Sequence, residues 1–161
     1  MKVLVAGAHG KTARRLVRML REDGHKVWGL VRKEEQMPDV EADGAEAVLV
    51  DLEEEGVEGR MGEALEGCDA IVFAAGAGPG SGAARKETMD YGGAVKLVEA
   101  AEKHVVRRYV MLSSMGAGDP GSSSKVKATV SIAAMFAAFY FAWRRWACNS
   151  SVGYPPDVVA G

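Results

Sequence analysis

The sequence has few of the residues that mark a metal-binding or thiol-dependent protein. Its 161 residues include only two cysteines, Cys68 and Cys148, and these are too far apart to form a CxxC motif. No two of the three histidines stand at ligand spacing together with a carboxylate, so no metal site is predicted. The formal net charge of −2 gives no reason to expect a nucleic acid or an anionic membrane as partner.

The strand-like run Lys2–Ala6 follows Met1 directly, without the charged and then apolar segments of a signal peptide. This pattern predicts a cytoplasmic protein. The longest uncharged run, Ala128–Trp143, is shorter than the roughly 20 residues of a membrane-spanning helix. A membrane anchor is therefore the least favoured interpretation of this run, and a membrane is not an expected partner. A content of 48% apolar and 26% charged residues is typical of globular proteins, and the length predicts one domain over residues 1–161.

Short apolar runs alternate with stretches of helical periodicity over the first two thirds of the chain. The runs predict five strands, at Val3–Ala6, Lys26–Val31, Ala47–Val50, Ala70–Ala75 and Arg108–Leu112. Helical spacing predicts helices at Thr12–Glu22 and about Thr88–Lys103, the second with Ala94, Leu97, Val98 and Ala101 on one face. This alternation predicts an α/β fold, a Rossmann-type, doubly wound parallel sheet in a three-layer αβα domain.

Ligands of such sheets bind beyond the carboxyl ends of the strands, and the first strand ends in a glycine-containing loop. Gly7 and Gly10 allow a tight turn and a close approach of the backbone to a pyrophosphate, and the small Ala13 lets the next helix pack near the strand. Because the loop lies between a strand and an amphipathic helix, it predicts a dinucleotide site. The expected contacts are Gly7, Ala8, His9, Gly10, Lys11 and Thr12.

The end of the second strand predicts which dinucleotide binds. An acidic residue there would bind the ribose 2′-hydroxyl of NAD, whereas this strand ends in Arg32-Lys33, which suits the 2′-phosphate of NADP. NADP is therefore the predicted cofactor and NAD the alternative. The other interpretation of Arg32-Lys33, as a solvated charge pair that opens a loop, remains open. Asp51-Leu52 ends the third strand where an adenine would lie, and Ala74-Ala75-Gly76 ends the fourth beside the nicotinamide ribose.

Together these segments resemble the atypical short-chain dehydrogenase/reductase family, particularly its NmrA-like and epimerase-like members. The resemblance covers about residues 1–120. It is carried by Val5–Thr12, Leu30–Arg32, Val50–Leu52, Gly67–Ala70, Phe73–Gly76, Met89–Gly93 and Val110–Gly116. It implies NAD(P) bound across the strand tips, with Asp51 and Leu52 flanking the adenine. It also implies that Ser113 and Ser114 lie near the nicotinamide as candidate catalytic residues.

The resemblance fails after about Gly121, so residues 1–121 form the family-like core and residues 122–161 a divergent segment. Family members continue with a helix that carries a catalytic-type lysine, often in a Tyr-x-x-x-Lys motif, and then with a sixth strand and a small substrate subdomain. Most of this is missing here. The apolar run Ala128–Trp143 has three open interpretations: a crossover helix on the sheet, a truncated or frame-altered tail, and a membrane anchor. Exposed, it would favour self-association.

Two functions therefore remain open. The first is an NAD(P)-dependent oxidoreductase or epimerase acting on an unknown small molecule, with Ser113 or Ser114 hydrogen-bonding the substrate oxygen; the short C-terminus would then impair it. The second is a non-catalytic NADP(H)-binding sensor or regulatory module of NmrA-like type. It needs only the phosphate loop and the strand tips.

Overall fold

The computed structural model describes residues 1–76, 78, 84 and 86–112. Ser113, Ser114 and the divergent segment 122–161 lie outside these residues, as does most of the loop after Gly76. Five parallel strands form one sheet in the order β3-β2-β1-β4-β5. They are β1 (Lys2–Ala6), β2 (Lys26–Val31), β3 (Glu46–Leu49), β4 (Ala70–Phe73) and β5 (Arg108–Met111). This arrangement confirms the predicted Rossmann-type α/β fold.

The central strand β1 organises the core. Its Leu4 is paired with Trp28 of β2 on one side and with Ile71 of β4 on the other. Residues Val3–Ala6 are almost fully buried because both faces of the sheet are covered. One face packs against two helices through Met61 and Leu97, and the opposite face packs against two others through Val17 and Val40.

The helices occupy the crossovers. They are α1 (Lys11–Glu22), a 3₁₀ turn (Glu34–Gln36) that runs into α2 (Met37–Ala42), α3 (Glu58–Leu65), and a π-helical segment (Lys86–Gly93) that continues as α4 (Ala94–Lys103). The face predicted for the last helix is buried, at Ala94, Leu97, Val98 and Ala101. Within the described part of the chain, no helix is long and apolar enough to cross a membrane.

The structure differs from the prediction mainly in strand β4 and in three helical segments. Strand β4 ends at Phe73 rather than Ala75. The single helix predicted for 88–103 is π-helical up to Gly93, since two consecutive glycines weaken an α-helix there. Helices α2 and α3 were not predicted, because α2 has only six residues and α3 contains the poor helix formers Gly59 and Gly62.

Candidate functional site

A cleft of about 220 Å³ opens beyond the carboxyl ends of β1, β2, β3 and β4. It brings together nine of the residues predicted from the sequence: Gly7, His9, Gly10, Arg32, Asp51, Leu52, Ala74, Ala75 and Gly76. Five further residues line the cleft without having been predicted: Leu30, Val31, Gln36, Val50 and Met89. Leu30 and Val31 are the last two residues of β2 and Val50 directly follows β3, so the strand ends could have indicated all three. Met89 belongs to the Met89–Gly93 motif, but Gln36 carries no signal in the sequence.

Gly7 makes the turn from β1 into the phosphate loop, and no other residue type fits there. Its φ is +75°, in the left-handed region. A Cβ at this position would lie 2.5 Å from the Cα of Ala75, at the end of β4. The backbone of the loop therefore packs directly on the next strand end, which leaves the cleft open above it.

The amino end of α1 faces the cleft through Gly10. Gly10 is the N-cap, and no side chain caps the helix, so the amides of the first turn are not occupied by a side-chain oxygen. The first turn also contains no acidic residue. The loop closes on itself through the Gly10 N–H, which donates to the carbonyl of Gly7 at 3.0 Å. Such a helix start attracts anions, and phosphate above all.

Three predicted contacts of the phosphate loop do not line the cleft. Ala8 is fully buried below the loop, where its Cβ would lie only 2.8 Å from a Cβ added to Gly29. Lys11 and Thr12 are exposed in the first turn of α1. These two can contribute main-chain amides to the site, whereas the side chain of Ala8 serves packing.

Polar side-chain contacts tie the phosphate loop and α1 to α2. His9 Nε2 lies 2.9 Å from Asp39 Oδ2, and Arg14 lies 3.4 Å from the same oxygen. Arg14 and Arg18 both donate hydrogen bonds to Asp43. The Arg14 hydrogen bond is the largest cause that holds the pKa of Asp43 below its usual value, and Arg18 adds to it against the opposing effect of desolvation. These contacts fix α2 beside the cleft.

The end of β2 carries the basic residues of the site. Arg32 is exposed at the cleft, and none of the described residues accepts a hydrogen bond from its guanidinium. Its main-chain N–H donates to Gln36 Oε1 at 3.3 Å, which holds the turn after β2. The neighbouring Lys33 is outside the cleft lining, and its ammonium pairs with Glu35 at 3.1 Å. Arg32 is therefore the available cation of this pair.

The loop after β3 forms the opposite wall. Asp51 lines the cleft, and its Oδ1 accepts a hydrogen bond from the N–H of Glu53 at 2.9 Å. Leu52 is buried against Gly93, where an added Cβ would come within 3.3 Å of the Leu52 Cβ. Arg60 of α3 donates to the carbonyl of Leu49 at 3.0 Å. The loop is thus fixed by side chains of the helices behind it.

The described residues contain no group of three His, Cys, Asp or Glu side chains that could hold a metal ion. The residues present fit a dinucleotide instead. A glycine turn and an uncapped helix start can hold a pyrophosphate, and the two sides of the cleft offer a free guanidinium and a carboxylate. The candidate catalytic residues Ser113 and Ser114 lie outside the described part, so their distance from this cleft is a prediction.

Comparison with known proteins agrees with this chemistry. A family model described as NAD(P)H-binding matches residues 7–147. The chain is 42% identical over 118 residues to the uncharacterized sugar epimerase YhfK of Bacillus subtilis, which covers 73% of this chain and 54% of that protein. It is 38% identical over 122 residues to the UPF0659 protein YMR090W of Saccharomyces cerevisiae, with 74% and 53% covered.

A solved structure from Bacillus halodurans, described provisionally as an NAD-dependent epimerase/dehydratase, is 39% identical and superimposes with a TM-score of 0.72. The match covers 80% of this chain and 61% of that one. This chain spans about half the length of the curated relatives it matches. It belongs to the NAD(P)H-binding family, and its Rossmann fold and motifs are those of the atypical short-chain dehydrogenase/reductase proteins.

Proposed function

We propose that the chain binds NADP(H) in this cleft and acts as an oxidoreductase or epimerase of the short-chain dehydrogenase type on a small-molecule substrate. The observation that carries the cofactor choice is Arg32. It lies at the carboxyl end of β2, where an acidic residue would select NAD, and its guanidinium has no partner among the described residues.

The side-chain chemistry of Arg32 supports binding of a 2′-phosphate. A guanidinium offers a planar fork of donors that matches two phosphate oxygens at once. The bond from its N–H to Gln36 holds the main chain, so the side chain starts from a defined position at the rim of the cleft. Lys33 gives the matched contrast, because Glu35 already pairs with its ammonium.

The pyrophosphate would lie at the start of α1. The open amides after Gly10 and the partial positive charge of the helix end both favour an anion there. Asp51 and Leu52 would contact the adenine on the far wall, and Ala74 to Gly76 would line the nicotinamide ribose. His9, held by Asp39, would lie at the edge of the phosphate site.

When bound, the cofactor supplies a hydride that can pass to or from a substrate carbon. Ser113 and Ser114, which follow β5 directly in the chain, would hydrogen-bond the substrate oxygen. The sequence contains no Tyr-x-x-x-Lys motif to move the proton, a contribution of roughly 10²–10⁴-fold. This observation favours a second candidate, a non-catalytic NADP(H)-binding module.

Calorimetric titration with NADPH and NADH tests the cofactor proposal. We expect the parent to bind NADPH at least about tenfold more tightly than NADH, the value of one strong charged hydrogen bond. Arg32→Ala should lose this preference while its NADH affinity stays unchanged. Lys33→Ala, the matched control, should keep it. A parent that binds neither dinucleotide refutes the proposed function, and a parent that prefers NADH refutes the NADP assignment.

Turnover separates the two candidates. The NADPH-loaded chain is mixed with aldehydes and ketones, and hydride transfer is followed by loss of the reduced-nicotinamide absorbance. The NADP⁺-loaded chain is mixed with nucleotide sugars, because an epimerase must first oxidise the sugar, and the epimerised product is measured. Turnover of any of them supports the enzyme. Tight NADPH binding without turnover across the panel supports the binding module.

A further inference from the structure

The peptide between Leu52 and Glu53 is held from both sides. Its carbonyl oxygen, on Leu52, accepts a hydrogen bond from Lys96 Nζ at 3.0 Å. Its N–H, on Glu53, donates to Asp51 Oδ1 at 2.9 Å. One peptide plane therefore links the ammonium of a residue on α4 to a carboxylate that lines the cleft.

Lys96 makes a second bond to the same loop, to the carbonyl of Glu54 at 2.7 Å. Both acceptors are main-chain carbonyls, so the ammonium fixes the path of the loop instead of pairing with one flexible carboxylate. One turn earlier on the same helical stretch, Gly93 lets the Leu52 side chain pack directly against the backbone. The start of α4 thus holds the loop both by hydrogen bonds and by contact.

Asp51 is the cleft residue that this arrangement orients. Its Oδ1 is committed to the Glu53 N–H, and among the described residues no donor reaches Oδ2. A carboxylate held in this way presents one free oxygen to the cleft wall where the adenine is proposed to bind. A free carboxylate oxygen accepts hydrogen bonds and would be matched by an exocyclic amino group such as that of adenine.

We infer that Lys96 is a positioning residue for cofactor recognition. Through the Leu52–Glu53 peptide it holds the Asp51 carboxylate in an orientation in which the free oxygen accepts a hydrogen bond from the amino group of the adenine. This inference rests on the proposed function, because it takes the dinucleotide to lie in the cleft with its adenine beside Asp51. Lys96 itself stays behind the loop and touches neither cofactor nor substrate.

The test compares NADPH with its deamino analogue, in which hypoxanthine replaces adenine and a carbonyl replaces the amino group. We expect the parent to bind NADPH about tenfold more tightly than the analogue. Lys96→Met should reduce this ratio to about twofold or less, and Asp51→Ala should do the same. Lys96→Arg, which keeps a charged donor, should restore most of the preference. Lys103→Met, on the same helix and exposed, is the matched control and should leave the ratio unchanged.

The ratio distinguishes positioning from a general loss of structure. If Lys96 only stabilises the fold, Lys96→Met weakens the binding of both dinucleotides equally and keeps the ratio, which overturns the inference. A parent without preference for the amino group overturns it as well. If the parent binds NADPH but Lys96→Met keeps the parent's ratio, only the inference about Lys96 is wrong. If the parent binds neither NADPH nor the analogue, the proposed function is wrong as well.

Discussion

Helix α4 ends in a strained conformation that a single substitution should relieve. Val105 follows the C-cap His104 with φ = 57°, and it is the only non-glycine residue with positive φ in the described part of the chain. Its N–H donates to the carbonyl of Glu102 at 3.1 Å, and the N–H of Val106 donates to that of Ala101 at 2.9 Å. These two bonds form a Schellman motif, whose left-handed position is usually glycine.

The magnitude follows from the backbone alone. The left-handed conformation costs a residue with a Cβ roughly 1–2 kcal/mol, and β-branched valine is among the least suited to it. Glycine removes that cost but adds about 0.5–1 kcal/mol because it loses more conformational freedom on folding. The side chain of Val105 is 68% exposed, so its removal gives up little buried surface. Val105→Gly should therefore raise the free energy of unfolding by roughly 0.5–1 kcal/mol.

Urea unfolding followed by tryptophan fluorescence measures this difference, and thermal unfolding should show a rise in Tm of roughly 1–4 °C. Val105→Ala is the control, since alanine keeps the Cβ and should gain less than glycine. Gly24→Ala is the reverse experiment at the equivalent position of α1, where φ is 77° and nothing lies within 4 Å of an added Cβ. It should lose about 1 kcal/mol. If Val105→Gly is no more stable than Val105→Ala, strain does not limit this helix end.

Two further substitutions test the site and its support. Gly7→Ala should abolish NADPH binding and lower Tm more than a strained φ alone would, because its Cβ would lie 2.5 Å from the Cα of Ala75; titration and thermal unfolding measure both. Asp43→Asn should lower stability at neutral pH. Because Arg14 and then Arg18 lower the pKa of Asp43, its contribution is present above the unfolded-state pKa of about 4 and is lost as the pH falls through the folded-state value. Urea unfolding across this range should show a weaker acid dependence in the variant, and equal dependence would contradict the assignment.

Much of the cleft could be predicted because a parallel sheet places its chemistry at strand ends. Buried strands appear in the sequence as apolar runs, and the residue after each run must lie at the carboxyl edge. Gly7, Arg32, Asp51 and Gly76 were found in this way, and each lines the cleft. The rule needs only local sequence, so it succeeds where long-range contacts are unknown.

The same rule could not find residues that act from a helix. Gln36 reaches the cleft because the chain turns back after β2, and Lys96 reaches the Asp51 loop from a helix 44 residues further along. Neither position has a local pattern that differs from an exposed polar residue on a helix or turn. Their roles depend on which helix packs behind which loop, and that is a property of the tertiary structure.

Helix ends show the same division between local and tertiary information. Gly24, Gly44 and Gly67 follow the C-caps of α1, α2 and α3 with positive φ, so glycine could have located the ends of two helices that were not predicted. At the end of α4 the sequence has Val105 instead, and the turn forms nonetheless. Burial of Val106 and Ala101 in the hydrophobic core therefore outweighs the local cost at Val105. Tertiary packing therefore places the end of α4 here although the local sequence does not favour it. For this reason, Val105→Gly should raise the free energy of unfolding without changing the fold.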